Sequence, residues 1–306
     1  MIEARIKMSH IDLFVSQSNV FSGFQTEFKR AKYIVFGVPF DVTSTYRTGA
    51  RFGPNAIRQA SLNIETYSFR SGIDMENVAL HDLGDLHVSA DPQKTVDMLK
   101  LVVKDIVAAK KLPAAIGGEH TITLGILEGL ITEPKKTAVV SLDAHLDLRE
   151  EFMGLTLSHT TFMQLVNEKV GPGTIIEVGT RAACKEELAY AQKAGIDFFT
   201  SHQVRNEGAE EITRKIKQRL APFKHIYLSI DMDVLDPAFV PAVQNPEPGG
   251  IDTNMLIDIA CELCDERMIG FDVLEVAPVY DQGVSATVAA RIMFEILSQI
   301  EKTHKP

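Results

Sequence analysis

Two short runs carry the groups that could do chemistry in this chain: Ser-Leu-Asp-Ala-His-Leu-Asp at 141–147 and Ser-Ile-Asp-Met-Asp at 229–233. Each follows an apolar, strand-like stretch and sets its acidic and imidazole groups at alternate positions. In extended chain alternate side chains share a face. Asp143, His145 and Asp147 are therefore expected to point one way, and Asp231 and Asp233 likewise. Four carboxylates crowded at strand ends repel one another and resist ionisation. A pair of hard divalent cations between them is the simplest arrangement that makes such a cluster stable. A third run, Gly117-Gly118-Glu119-His120, follows the apolar stretch 114–116 and brings another imidazole to the same edge. Its glycines permit a close backbone approach or a positive φ. The candidate metal ligands are then His120, Asp143, His145, Asp147, Asp231 and Asp233. Oxygen-rich ligation with some imidazole favours Mn2+ over Zn2+, which takes fewer and softer ligands, and the charge of four carboxylates calls for two ions per chain.

Other groups of similar type read differently. Asp82 and Asp85 imitate a metal site but are expected to organise a loop, and Asp236, ahead of Pro237, reads as a turn former. Cys261 and Cys264 form a Cys-x-x-Cys pair inside a helical pattern with no second pair elsewhere, so one buried helix face is expected rather than zinc or redox chemistry.

The elements that must position the acidic runs follow from the alternation of apolar strand-like and helix-period stretches. Strands are predicted near 33–38, 78–82, 114–116, 138–142, 175–179, 197–200, 226–230 and 269–276. Helices are predicted at 54–68, 92–110, 159–168, 185–194, 210–220, 253–266 and 285–302, with Pro54 and Pro92 in first turns and Asp252 as an N-cap. Such alternation predicts a mostly parallel sheet covered by helices on both faces. Active sites in these sheets lie at the carboxyl ends of the strands, where both acidic runs fall. The Pro- and Gly-rich stretch 237–250 reads as a long ordered loop beside the site. Residues 1–30 lack periodicity and are expected to cross the surface or reach a neighbouring subunit, and the tail 302–306 to fray.

The frame is that of a protein with a large core. The chain has 306 residues, 45% of them hydrophobic, and a formal net charge of −10, which argues against nucleic acid and anionic membrane as partners. No apolar run approaches a membrane span, and the first residues do not read as a secretory signal. Three cysteines without such a signal fit a reducing, cytoplasmic setting.

The three runs together resemble the ureohydrolase family, the arginases and agmatinases. So do Gly37-Val-Pro-Phe-Asp41, Arg51-Phe-Gly-Pro-Asn-Ala-Ile-Arg58 and Val276-Ala-Pro-Val-Tyr-Asp281. The segments around Leu157-Ser158-His159, Gly179-Thr180-Arg181 and 245–250 look most like agmatinases. The resemblance implies a single catalytic domain over 1–306, a three-layer α/β/α sandwich with an eight-stranded parallel sheet. It implies dinuclear, Mn-dependent hydrolysis of agmatine to putrescine and urea, with arginine or 4-guanidinobutyrate as alternative substrates. It also implies that Asp143 and Asp231 bridge two metals, with His120 and Asp147 completing one site and His145 and Asp233 the other. Asp147 would pass a proton from the attacking hydroxide to the departing amine, His159 would shuttle protons with a pKa suited to neutrality, and Glu275 would grip the guanidinium. Asn245 would lie in the substrate wall. The partner is a small cationic guanidino compound, and the assembly a homotrimer or homohexamer. Two departures stand out: Glu119 replaces the usual Asp before His120, and Gln244-Asn245-Pro246 replaces a common Gly-Thr-Pro. Glu119 is expected to orient His120 or a loop. From other classes, a metallophosphatase would need cations facing the site, a deacetylase would use one metal, and a non-catalytic binding protein on the same scaffold would have lost ligands.

Overall fold

The computed structural model describes residues 9–16 and 19–304. In chain order the strands are β1 (Val15–Ser16), β2 (Tyr33–Val38), β3 (Tyr67–Ser68), β4 (Ile73–Asp74), β5 (Leu80–Leu86), β6 (Leu112–Gly117), β7 (Thr137–Leu142), β8 (Ile175–Thr180), β9 (Asp197–Thr200), β10 (His225–Asp231) and β11 (Met268–Leu274). The helices are α1 (His10–Phe14), α2 (Gly53–Ser61), α3 (Pro92–Ala108), α4 (Ile122–Leu130), α5 (Phe162–Val170), α6 (Lys185–Ala194), α7 (Ser201–Leu220), α8 (Thr253–Leu263) and α9 (Val284–Thr303).

One sheet has the order β1-β5-β2-β6-β11-β10-β7-β8-β9, and β3 pairs with β4 in a separate hairpin. The eight predicted parallel strands are present. A ninth, β1, adds an antiparallel edge through Val15 and Ser16 against Leu86 and Asp85. Strands such as β2, β7 and β8 are buried at every position, which is why they read as unbroken apolar runs. Two cores flank the sheet. One gathers Ile57 of α2, Ile212 and Ile216 of α7, Leu256 of α8 and Phe294 of α9. The other gathers Leu99 of α3, Ile126 of α4, Phe162 of α5 and Ala191 of α6, giving three layers.

Local signals hold where they were strong. Asp91 caps α3 through the Gln93 and Lys94 amides, and Asp252 caps α8 through Met255. Helix α4 was not predicted: eight of its nine residues are buried, so the stretch has no polar face to reveal a period. Helix α7 begins nine residues earlier than expected, because a break at Gly208 (φ +83°) interrupts its pattern. Of residues 1–30, His10–Phe14 and Val15–Ser16 form α1 and β1, Phe21–Gly23 form a 3-10 turn, and the His10 amide donates to Asp105 of α3 at 2.6 Å. Residues 1–8, 17–18 and 305–306 lie outside the described residues, and the expected fraying of the tail does not extend to Lys302 and Thr303, which belong to α9.

The groups read as structural behave so. Asp82 and Asp85 bind the fully buried Arg58 at 2.7 and 2.5 Å, and Asp82 also accepts the Phe21 amide. Asp236 accepts three amides, from Ala238, Gly249 and Gly250, and so folds the 237–250 loop back on itself. Cys261 and Cys264 are buried.

Candidate metal centre and substrate wall

The strands β6, β11, β10 and β7 are consecutive neighbours at the middle of the sheet; β10 ends in Asp231, and Asp143, Glu275 and His120 lie one to three residues beyond the ends of β7, β11 and β6. Ile230 lies beside Leu142 in register, so the residues that follow, Asp231 and Asp143, emerge side by side. His120 leaves β6 through a tight crossing. A side chain at Gly118 would sit 1.8 Å from the Phe40 carbonyl oxygen, and one at Gly117 would meet Leu274 at 2.1 Å. The glycines serve close approach, since neither has a positive φ.

The convergence does not come from strand alternation. Strand β7 stops at Leu142, so Asp143, His145 and Asp147 lie on the loop beyond it. Asp233 lies on a 3-10 turn after β10. Hydrogen bonds shape these loops instead: Asp143 Oδ1 accepts the His145 amide at 2.6 Å, Asp231 Oδ1 the Asp233 amide at 2.8 Å, and Asp233 Oδ1 the Ala144 amide at 3.1 Å. Arg181 braces the second loop by donating to the Asp233, Val234 and Glu247 carbonyls. Asp147 takes a left-handed conformation (φ +50°), costly for a non-glycine residue and of a kind found at functional sites.

Two groups of potential ligand atoms result: His120 with Asp143 and Asp231, and Asp143 with His145 and Asp233. Asp143 belongs to both. Asp231 falls in the first alone, and Asp147 stands just outside, its Oδ2 3.9 Å from His120 Nδ1. That nitrogen lies 2.9 Å from Asp143 Oδ2 and 3.2 Å from Asp231 Oδ2, fully buried and without a hydrogen-bond partner. The other ring nitrogen, Nε2, meets Ser229 Oγ at 2.8 Å, and Ser229 gives its single proton to Asp272 Oδ1 at 2.6 Å. Ser229 must then accept from Nε2–H, so that whenever the ring is neutral Nδ1 is the lone-pair nitrogen facing the carboxylates. Tyr227 and Thr123 hold the other Asp272 oxygen. A buried acceptor among four carboxylates fits divalent cations, and every donor in the set is oxygen or imidazole nitrogen.

Without cations the cluster stores protons. Burial alone would lower the His120 and His145 pKa values, but Asp143 and Asp231 beside the first, and Asp233 and Asp143 beside the second, hold both well above the usual histidine range. Burial, reinforced by neighbouring carboxylates, raises Asp147 and Asp231 well above theirs. Burial would raise Asp143 too, yet His120 and His145 outweigh it and hold it low. Metal binding must displace these protons, so affinity is expected to rise with pH and to be lost as pH falls. Calorimetric titration with Mn2+ in buffers of different ionisation enthalpy, from about pH 6 to about pH 8, should show proton release and tightening binding. An affinity independent of pH would count against a protonated apo cluster.

The substrate-side residues surround this centre. Glu275 follows β11 with φ +70° and is buried. Its Oε1 accepts the His120 amide at 2.7 Å and its Oε2 accepts Gln244 Nε2. Burial pushes its pKa up to about 8. Glu119 is also buried, as expected for an organising group. It accepts the Thr43 amide and hydroxyl at 2.8 and 2.5 Å and the Thr121 hydroxyl at 2.6 Å. Thr43 Oγ1 in turn accepts the His159 amide at 3.1 Å. His159 Nε2 lies 3.1 Å from Thr45 Oγ1, which also accepts from Asn245 Nδ2 at 3.3 Å. Burial, with the neighbouring His145 and His120, pulls the His159 pKa down to about 4, below the near-neutral value expected from sequence. Arg51 pairs with Asp41, and Arg47 donates to the Pro241 carbonyl and lies over the Tyr280 ring, so both brace the loops of this wall. Thr43, Thr45, Ser229 and Asp272 were not singled out from sequence. Ser229 alone had a signal, since it alternates with Asp231 on one strand.

The chain as a whole has close counterparts. Residues 31–298 match the arginase family. An agmatinase of Halalkalibacterium halodurans is 35% identical over 89% of this chain and 92% of that protein. The crystal structure of the agmatine ureohydrolase of Thermoplasma volcanium superposes with a TM-score of 0.87 at 32% identity, covering 94% of this chain and 96% of that one. Proclavaminate amidinohydrolase from Streptomyces clavuligerus does so with 0.87 at 30%, covering 95% and 99%. A match running from before β2 to within α9, together with the shared three-layer fold, leaves one conclusion: the chain belongs to the arginase family.

Proposed function

We propose that the protein hydrolyses the guanidino group of agmatine, releasing urea and putrescine, with two Mn2+ ions held by His120, Asp143, His145, Asp147, Asp231 and Asp233. The observation that carries this reading is the pairing of a dinuclear-type ligand cluster, joined through Asp143, with a buried carboxylate, Glu275, hydrogen-bonded to the backbone of the ligand His120. When bound, the cations supply Lewis acidity, which makes water a nucleophile near neutral pH. Glu275 binds and orients the planar guanidinium, and charge-assisted hydrogen bonds to its N–H groups suit that task. Water adds to the guanidinium carbon, the bond from that carbon to the alkylamine nitrogen breaks, and the departing nitrogen must gain a proton. Asp147, buried beside the cluster with its carboxylate 3.9 Å from His120 Nδ1, is placed to carry that proton from the water to the amine. His159, whose proton affinity burial and the neighbouring histidines lower, would be a strong acid toward the amine once protonated.

The same proposal takes the chain as one catalytic domain acting in the cytoplasm as a homotrimer or homohexamer. No helix among the described residues is long and apolar enough to cross a membrane. Urea release from agmatine, arginine and 4-guanidinobutyrate, measured side by side with Mn2+, tests the reading. The highest kcat/KM is expected for agmatine, and no turnover of any guanidino compound would overturn it.

A further inference from the structure

Gln244 is a long amide in the loop facing Glu275. It is completely buried. Its Nε2 donates to Glu275 Oε2, and its Oε1 accepts from the Ser44 hydroxyl. A carboxylate torsion is broad and soft when left to itself. Here each oxygen has one fixed donor, the His120 amide on Oε1 and the Gln244 amide on Oε2. Two donors on two oxygens fix the carboxylate plane, where one would leave it free to turn. Each oxygen keeps a lone pair for the ligand. The guanidinium nitrogen that pairs with Oε2 must then lie beside the Gln244 side chain, because both donate to the same atom.

We infer that Gln244 is a specificity-determining residue, which locks the plane of Glu275 and fills the space beside one terminal guanidinium nitrogen, so that the pocket takes guanidino compounds whose terminal nitrogens are unsubstituted. The inference rests on the guanidino-hydrolase function proposed above. Ser44 extends the lock into the 41–45 loop, whose Thr43 and Thr45 hold His159, so the amide also ties the substrate carboxylate to the opposite wall.

The test compares agmatine with agmatine methylated on a terminal guanidino nitrogen, using wild type, Gln244→Gly and Gln244→Met. In wild type the methylated compound should be the poorer substrate by at least about 10-fold, the usual worth of a methyl in a tight pocket. Gln244→Gly should shrink that ratio by about 10-fold and raise KM for agmatine more than it lowers kcat. Gln244→Met, which keeps the length but loses the donor, should raise KM while leaving the discrimination in place. Metal content should match wild type in both variants, and both should keep a cooperative thermal transition at a lower midpoint. An unchanged discrimination ratio in Gln244→Gly, or a loss confined to kcat in both variants, overturns the inference. Should Gln244→Gly fail to fold, an unaltered KM in Gln244→Met overturns it alone. Calorimetric binding of the two compounds to the Mn-loaded proteins, without turnover, separates the questions. If wild type hydrolyses neither compound but binds agmatine more tightly than the methylated form, the functional proposal fails and the role of Gln244 stands. Equal affinities would overturn that role.

Discussion

Asp143→Ala is expected to empty both halves of the ligand cluster, leaving less than one metal per chain, and to lower turnover by about 10^4-fold or more. Asp143 alone belongs to both groups, with Oδ2 2.9 Å from His120 Nδ1 and Oδ1 3.5 Å from His145 Nδ1. The same carboxylate shapes the loop that carries its neighbour, because Oδ1 also accepts the His145 amide. The substitution therefore removes a shared ligand and slackens the turn presenting another. Residues that work as one unit are strongly non-additive, so Asp143→Ala and the double variant with Asp231→Ala should lie within a few-fold of each other. Asp233→Ala, which touches one group only, should retain metal at the other. Metal analysis by mass spectrometry beside kcat checks each case. Two metals retained per chain in Asp143→Ala would mean that the centre lies elsewhere.

Much of this arrangement is legible in sequence, for identifiable reasons. Strands β2, β7 and β8 are buried at every position because both faces of the sheet are covered, and that leaves a largely apolar trace in the sequence. The acidic runs stand out because charge directly after such a strand has few structural uses. Two kinds of feature left no trace. The first is burial without contrast: α4 has no polar face, and β1 is two residues long and pairs with a strand seventy residues away. The second is geometry made by loops. Alternation puts Asp143, His145 and Asp147 on one face, but these residues follow the strand, Asp147 falls outside both ligand groups, and a folded loop with Asp147 in a left-handed conformation sets their places, which no local pattern announces. The hydroxyls of Thr43 and Thr45 lie more than a hundred residues from His159, in an unremarkable Thr-Ser-Thr stretch. Their value depends on which loops meet, which spacing along one chain does not encode.

The near-neutral pKa expected for His159 fails for a related reason. The expectation came from the role, whereas the value is set by the surroundings. The ring is buried, touches only a threonine hydroxyl through Nε2, and faces the positive field of His120 and His145. A histidine held at about 4 is a weak base at rest and a strong acid once protonated. That suits a group that passes a proton on immediately to a departing amine, and it is less suited to storing one.

His159→Ala should lower kcat by about 10^2–10^4-fold, the ordinary worth of a positioned acid–base group, while two metals per chain remain bound. The separation is expected because His159 belongs to neither ligand group. Its contacts to the wall run through its backbone amide to Thr43, which alanine keeps, and through Nε2 to Thr45, which alanine loses. KM for agmatine should change by only a few-fold, since the guanidinium is gripped by Glu275. Thr45→Val, which removes the hydroxyl holding Nε2 and leaves the ring in place, should cost much less than His159→Ala. The contrast distinguishes proton transfer from packing: a purely structural histidine would bring loss of metal, a lower thermal midpoint and a rise in KM together. If His159→Ala retains full kcat with both metals bound, the departing amine takes its proton by another route, and Asp147 becomes the group to replace next.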